Sequence, residues 1–506
     1  LKKLLATIIC CTLLVAGLAA CSSSKDNNAA QNGQETKTPD TSSPKAEEVV
    51  TVKYVRPGTP PDDNAKLVQA INDKLAADKT NLQLEIQYIP SDVWMDKSTM
   101  MLSTGEEFDL MPVMEDQKGV SAYVAMDGLA PIGKYLDQYG SNIKKVVPEW
   151  MWESATMNGD IYTIPAYWTE TANNNNNITI RRELLEKWGL KDPRTTDDLL
   201  NMAKVFTENW EGDGKPVVIP MFNEPFTWLF QTMDSYPFSV LKDLIYIDQQ
   251  GNVKNWLETP EFKESAEFFR KLYEQGYVPQ DILAKPNGWS WQQMTSGSFI
   301  WVDGMQLWGS EASWEERIPG VKLDTIYLNP DKPMFRETAF RNSTAVSSTS
   351  KHPEAAVKFL DWLYTSQENY DLVVYGVEGL TWEDKGTGLY TRPDPNFEFN
   401  ADWMIGNLKF TRYEVGTYQK FIDILGTEKT EGVTNSVALN FVFDSTKVAN
   451  EYANSMAEVQ RSIYPIKLGI VSYEEGYEAA LKKLKAAGID KVIAEYQAQL
   501  NAHLGK

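Results

Sequence analysis

Val49-Val-Thr-Val-Lys-Tyr-Val55, Leu82-Gln-Leu-Glu-Ile-Gln-Tyr88 and Phe108-Asp-Leu-Met-Pro-Val-Met114 are three short runs, and the segments between them decide the fold. Alternation in the second run puts Leu82, Leu84, Ile86 and Tyr88 on one side of a strand. Between the first two runs, Leu67, Ile71 and Leu75 recur at every fourth position, which predicts a helix that Asp62 or Asp63 can cap. A helix-like stretch ending at Gly105 separates the second run from the third. This β-α-β-α-β order predicts a parallel sheet covered by helices.

The pattern returns further along the chain. Thr179 to Trp188 passes from strand-like to helical, and Thr196 to Trp210 reads as a helix with Leu199, Leu200, Ala203 and Phe206 on its apolar side. Val217 to Phe222 and Ser298 to Val302 read as strands, and Pro260 to Gln275 as a helix stopped by Gly276. Pro353 sits in the first turn of a helix carrying Ala356, Phe359, Leu360 and Leu363. From Ser472 the chain is helical in two pieces split at Gly488. Asn173 to Asn177 reads as a surface loop or a crossover. Hydrophobic residues make up 42% of 506 positions, so the chain can bury cores for two or three domains.

Lys2 and Lys3 followed by the uncharged Leu4 to Leu18 have the layout of a secretory signal, and Leu18-Ala-Ala-Cys21 resembles a bacterial lipobox. That resemblance implies cleavage after residue 20 and lipid on Cys21; an uncleaved anchor helix is the alternative, although the apolar run is short of the roughly 20 residues of a comfortable span. Ser22 to Glu48 has almost no large apolar residue and is expected to be a flexible tether. Cys10 and Cys11 leave with the signal, and lipid consumes Cys21, so no disulfide, thiol catalysis or cysteine metal site is expected. His352 and His503 are the only histidines, which argues against Ser-His catalysis and His-held zinc. The formal charge of −21 repels nucleic acid and anionic lipid, so nucleic-acid binding is excluded. The 16 Trp, 23 Tyr and 19 Phe supply flat apolar faces that suit sugar rings, although core packing accounts for most of them.

Several segments resemble the substrate-binding lipoproteins of carbohydrate importers of the ABC type. Gly105-Glu-Glu-Phe-Asp-Leu-Met111, with Phe108 in place of the usual Pro, and Gly128-Leu-Ala-Pro-Ile132 carry the weaker part of the likeness. Asn158-Gly-Asp-Ile-Tyr-Thr-Ile-Pro165, Ile180-Arg-Arg-Glu-Leu-Leu-Glu-Lys-Trp-Gly-Leu190 and Ser350-Lys-His-Pro-Glu-Ala-Ala-Val-Lys-Phe-Leu-Asp-Trp-Leu363 carry the stronger part. Phe441-Val-Phe-Asp444 and Leu484 to Leu500 resemble the C-terminal helical extension of large Gram-positive members, often assigned to plant cell-wall oligosaccharides. The resemblance implies an α/β, two-lobe periplasmic-binding-protein-like fold of type II, a Venus-flytrap cleft crossed three times. It implies crossings near Ala166 to Ala172, Ile300 to Gly304 and Asn342 to Ser348. Lobe one would then hold 49–168 and 303–345, and lobe two 169–302 and 346–506. The implied protein is a monomeric, non-enzymatic receptor that passes an oligosaccharide to permease subunits and needs no cofactor; the sequence leaves calcium open.

Ligand candidates follow from the same resemblance. In Met221-Phe-Asn-Glu-Pro-Phe-Thr-Trp228, Pro225 fixes a loop, Glu224 can accept paired hydroxyl bonds, and Phe226 or Trp228 can offer a ring face. Trp168 and Glu170 follow Pro165 at the first expected crossing, and Trp301, Asp303 and Trp308 bracket the second, with at least one of those two Trp residues in the core. Trp382 lies in a Gly-containing turn, and Asp116 follows the third strand at its carboxyl end, where α/β clefts form. Asp109, ahead of that strand's centre, reads as structural. Two rivals stand beside the receptor: a cell-surface glycosidase, which needs two facing carboxylates, and a peptide or lipid-precursor receptor of the same fold.

Overall fold

The computed structural model describes residues 48–115, 117–167, 176–212, 216, 218, 226–278, 280, 282–284, 296–304, 307, 309–393, 401–425 and 432–506. Its first sheet is built from the three opening runs: β1 (Val50–Pro57), β2 (Leu82–Ile89) and β3 (Leu110–Met114). β1 pairs in parallel with β2 from Val50↔Leu82 to Pro57↔Ile89, and with β3 at Tyr54↔Leu110. The crossover helices are α1 (Asn64–Ala77), which buries Leu67, Ile71 and Leu75, and α2 (Trp94–Thr104). Asp63 occupies the N-cap of α1, but its side chain makes no capping bond. Gly105, at φ 73°, ends α2 in the left-handed region that glycine adopts without strain.

Two strands from elsewhere complete this sheet in the order β2-β1-β3, Asn342–Val346, Thr163–Pro165. Asn342–Val346 runs antiparallel to both neighbours. Thr163–Pro165 therefore points the same way as β1 to β3. Its exit and the entry of Asn342–Val346 share the edge where β1 to β3 end, so the chain leaves and re-enters this lobe at one edge. Asp109 has the structural role expected of it: it accepts from Lys53 N at 2.8 Å and Ser350 Oγ at 2.5 Å.

The second lobe is organised around Ile178–Arg181, flanked antiparallel by Trp301–Asp303 and Leu323–Ile326. Separate from that sheet lies the meander Ser239–Leu241, Ile245–Ile247, Val253–Asn255. The helix Thr196–Asn209 starts with a capping box between Thr195 and Asp198, and Pro260–Glu274 has its proline at the first turn. Its apolar side, with Phe262, Ala266, Phe268 and Phe269, joins Ile178, Ile180, Trp301 and the C-terminal helices in one core. The extension ends in Tyr473–Ala487 and Ile489–His503, split at Gly488 as expected.

Lobe membership corrects the sequence expectation. The described residues of 309–335 stay in the second lobe, because Leu323–Ile326 pairs with Ile178–Arg181 and Phe335 lies in that core. Ala355 to Tyr364, Tyr370 to Tyr375, Trp382, Tyr390, Ala401, Met404 and Ile405 contribute their buried apolar side chains to the first lobe's core instead of the second. The chain returns to lobe one between Phe335 and Ala339, and passes back between Tyr413 and the helix Gln419–Leu425, whose Ile424 packs with Val302 and Leu323. Among the described residues the chain thus passes between the lobes three times. The first falls between Pro165 and Ile178, and the other two lie away from Ile300–Gly304 and Asn342–Ser348. Short apolar strands say that a sheet exists, and only their distant partners say which one.

Candidate functional site

The edge of lobe one that receives the crossings is formed by the last residues of its parallel strands. Arg56, only 6% exposed, places its guanidinium carbon 5.5 Å from the ring centre of Tyr88, its register partner on β2. The Tyr88 hydroxyl donates to Asn64 Oδ1 at 3.1 Å, tying this edge to the start of α1. Past β3, Glu115 N donates to Arg341 O at 2.8 Å and Glu115 Oε1 accepts from Val120 N at 2.9 Å, so the turn is held at both ends. Lys118 in that turn donates to Thr99 Oγ1 at 3.2 Å and sits 4.7 Å over the Tyr123 ring. Burial lowers its pKa from the ordinary lysine value.

The matching edge of lobe two is a set of amides and hydroxyls. Asp303 and Ile326 both lie opposite Ile178, so the strand ends meet where the first crossing arrives. Asn176 and Asn177 are buried there: Asn176 Nδ2 donates to Phe335 O at 3.1 Å, and Asn177 O accepts from Gly304 N at 2.9 Å. Thr179 Oγ1 donates to Gly304 O at 2.9 Å and lies 3.0 Å from Thr325 Oγ1. Tyr327 is hydrogen-bonded to Asn177, and burial still pushes its hydroxyl up to about 12. It remains a neutral donor at ordinary pH. Neutral amides, hydroxyls and aromatic faces beside a few charged groups suit a polyhydroxylated ligand better than bond-breaking chemistry. Among the described residues no cluster of three or more metal-ligating side chains occurs.

Of the candidates singled out by sequence, Asp303 stands at this edge, half-buried. Phe226, Trp228 and Trp301 are packed in the lobe-two core instead of being presented to a ligand. Trp228 is 0% exposed, with Phe226, Phe268, Phe269 and Trp301 within 6.1–6.4 Å of its ring centre. Trp382 is likewise interior: its indole N–H donates to Gly376 O at 3.0 Å and the Arg412 guanidinium covers its face at 4.8 Å. The physical reason is common to all four. Large rings bury much apolar area, and each of these packs against at least one other ring: Phe226 and Trp301 against Trp228, and Trp382 against Tyr375. Asp116, Trp168, Glu170, Glu224, Trp308 and Cys21 lie outside the described residues, as does most of the expected strand from Val217 to Phe222.

Sequence reasoning missed Asn176, Asn177, Thr179, Thr325 and Tyr327. Its one available signal was the polar run Asn173 to Asn177, read as a surface loop or a crossover, which ends in two buried residues. It also missed three contacts between the lobes. Arg336 lies 4.4 Å over the Trp150 ring. Lys242 Nζ reaches Glu115 O at 3.5 Å. Ser154 Oγ donates to Asn440 Oδ1 at 2.8 Å.

Comparison with known proteins agrees with this geometry. The model of the bacterial extracellular solute-binding protein family matches residues 58–370, and that of a domain of unknown function (DUF3502) matches residues 437–505. A carbohydrate ABC transporter substrate-binding protein of Streptococcus pneumoniae is 25% identical over 470 residues, covering 90% of this chain and 91% of the relative. The polygalacturonan/rhamnogalacturonan-binding protein YtcQ of Bacillus subtilis is 24% identical over 64% of this chain and 65% of its own. In fold, the chain resembles the N-glycan transport solute-binding protein NgtS of Streptococcus pneumoniae, solved in complex with Man1GlcNAc. The TM-score is 0.71 at 21% identity, over 90% of this chain and 100% of the other.

Proposed function

The chain belongs to the bacterial extracellular solute-binding proteins, and from that premise we propose that it is a lipid-anchored receptor that binds an oligosaccharide between its lobes and delivers it unchanged to an ABC importer. The observation that carries the ligand class is the likeness, along nine-tenths of the chain, to a carbohydrate ABC transporter substrate-binding protein. The chemistry of the lobe edges supports it: Asp303 and Tyr327 are half-buried polar groups, Tyr88 and Trp150 are half-buried ring faces near cations, and the buried Asn176, Asn177 and Thr179 hold the edge in place behind them. A sugar needs both, because its hydroxyls must be paired once closure strips their water.

A ligand-shift screen tests the ligand class. Oligosaccharides from plant walls, host glycans and fructans are expected to raise the melting temperature, and peptides to leave it unchanged. Stabilisation by peptides alone would make this a peptide receptor. The anchor has its own test. Cys21→Ala is expected to abolish incorporation of labelled fatty acid and release the protein from membranes; unchanged labelling would remove the lipoprotein assignment.

A further inference from the structure

The C-terminal extension corresponds to a domain of unknown function, and its packing gives it one. Its lead-in, Val437 to Phe443, lies on the lobe-two core. From there it touches the lobe-one helix Glu149–Ala155, whose Met151 and Ala155 are in the other core. Ser154 Oγ donates to Asn440 Oδ1 at 2.8 Å and stands 3.3 Å from Leu439 O. Asn440 Nδ2 donates in turn to the Glu153 carboxylate. One asparagine side chain therefore uses its acceptor and a donor on two successive residues of the opposite lobe.

A second contact comes from the extension indirectly. Lys467, 4% exposed, bonds Asp243 Oδ2 at 2.7 Å, and Asp243 is 1% exposed. Asp243 and Lys242 form the turn between Ser239–Leu241 and Ile245–Ile247, both at positive φ (53° and 52°). Such a tight turn has little freedom once one of its residues is pinned. Pinning Asp243 sets the direction of Lys242, whose ammonium meets Glu115 O across the lobes. Glu115 closes β3 at the edge where the crossings run, so in this structure the contact joins the two lobes at that edge.

We propose that the C-terminal extension is a closure element, an interlobe clasp that holds the lobes together through Asn440 on the helix Glu149–Ala155 and through the Lys467–Asp243 support of Lys242. The clasp biases the open–closed equilibrium toward closure before ligand arrives. It rests on the receptor reading only for its purpose, and its test needs no sugar. In the full chain, with Cys10, Cys11 and Cys21 replaced by Ser, nitroxide labels are placed at the exposed positions Gln138 of lobe one and Asn201 of lobe two, each changed to Cys. Pulsed electron–electron resonance then reads the interlobe distance. Asn440→Ala is expected to move population to longer distances, lowering the closed-to-open ratio by at least about two- to tenfold, the weight of one net hydrogen bond. Ser154→Ala, on the other lobe, is expected to do the same, and the double variant no more than Asn440→Ala alone. Asn501→Ala, in the extension but away from the clasp, leaves the distribution unchanged. Identical distributions for parent, Asn440→Ala and Ser154→Ala overturn the proposal. That result together with retained sugar binding leaves the receptor reading standing; a shifted distribution without any sugar binding does the reverse.

Discussion

Trp228 shows what burial does to a residue that chemistry alone would assign to a ligand. Its ring is enclosed by four others, so Trp228→Ala removes packed area and leaves a cavity, costing about 3–5 kcal/mol. A clear fall in melting temperature without sugar is expected; unchanged apo melting with weakened sugar binding would return the ring to the site. Asp402 makes a pH-dependent contribution. It is 3% exposed, accepts from the Tyr375 hydroxyl at 2.9 Å, and burial pushes its pKa from 3.8 to about 7. Below about pH 4 both folded and unfolded states hold the proton. Between about 4 and 7 only the folded state holds it, so stability falls as pH rises through that window. Asp402→Asn is expected to flatten this slope, by at most about 4 kcal/mol across the window. Denaturant midpoints at pH 5 and pH 7.5 measure it, and equal pH dependence in variant and parent would contradict it. At this scale the sequence was a poor guide to the site. Aromatic side chains such as Trp301 and Trp382 look alike whether they face a ligand or one another, and nothing local in Thr325 or Tyr327 marks a strand end that meets a crossing.

Among the elements, the helices were the most legible part. Leu67, Ile71 and Leu75, Pro353 and Gly488 each mark a local rule that the structure follows. The three opening strands and their parallel arrangement were legible, whereas Leu323–Ile326, Asn342–Val346 and the meander Ser239–Leu241, Ile245–Ile247, Val253–Asn255 were not read as strands at all. Leu323–Ile326 carries no mark that sends it to Ile178–Arg181 instead of the first sheet, because pairing is decided by contacts more than 140 positions away. The docking of the extension is equally non-local. Arg270 on the helix Pro260–Glu274 donates to Gly469 O and Ile470 O, each at 3.0 Å. Gly469 has φ 72°, and a Cβ there would stand 2.4 Å from Phe269 O and 2.5 Å from Arg270 N. Those are backbone atoms of a helix and cannot move aside cheaply. Gly469→Ala is therefore expected to cost at least about 1–2 kcal/mol through φ alone, and more through the clash. Faster amide exchange across residues 449–506 is the expected reading; exchange identical to the parent would show that the close approach is not required.

For the molecule as a whole, two cores joined by three crossings, with polar edges between them, are the machinery of a protein that closes on a solute. Fold class and family could be read early because Asn158–Pro165 and Ser350–Leu363 carry ordered, specific patterns. The lobe boundaries could not, since a crossing leaves no composition signature of its own. A chain with the single cysteine Cys21 beyond residue 11 and two histidines has few groups for thiol or imidazole chemistry. The central claim is that an oligosaccharide enters and leaves unaltered. Isothermal titration with the most stabilising sugar of the screen, followed by chromatography of the recovered ligand, tests it most directly. The account predicts saturable binding of one sugar per chain and a single recovered species identical to the one added. Absence of binding to any oligosaccharide, or conversion of the sugar at catalytic rates abolished by one carboxylate substitution, would contradict it.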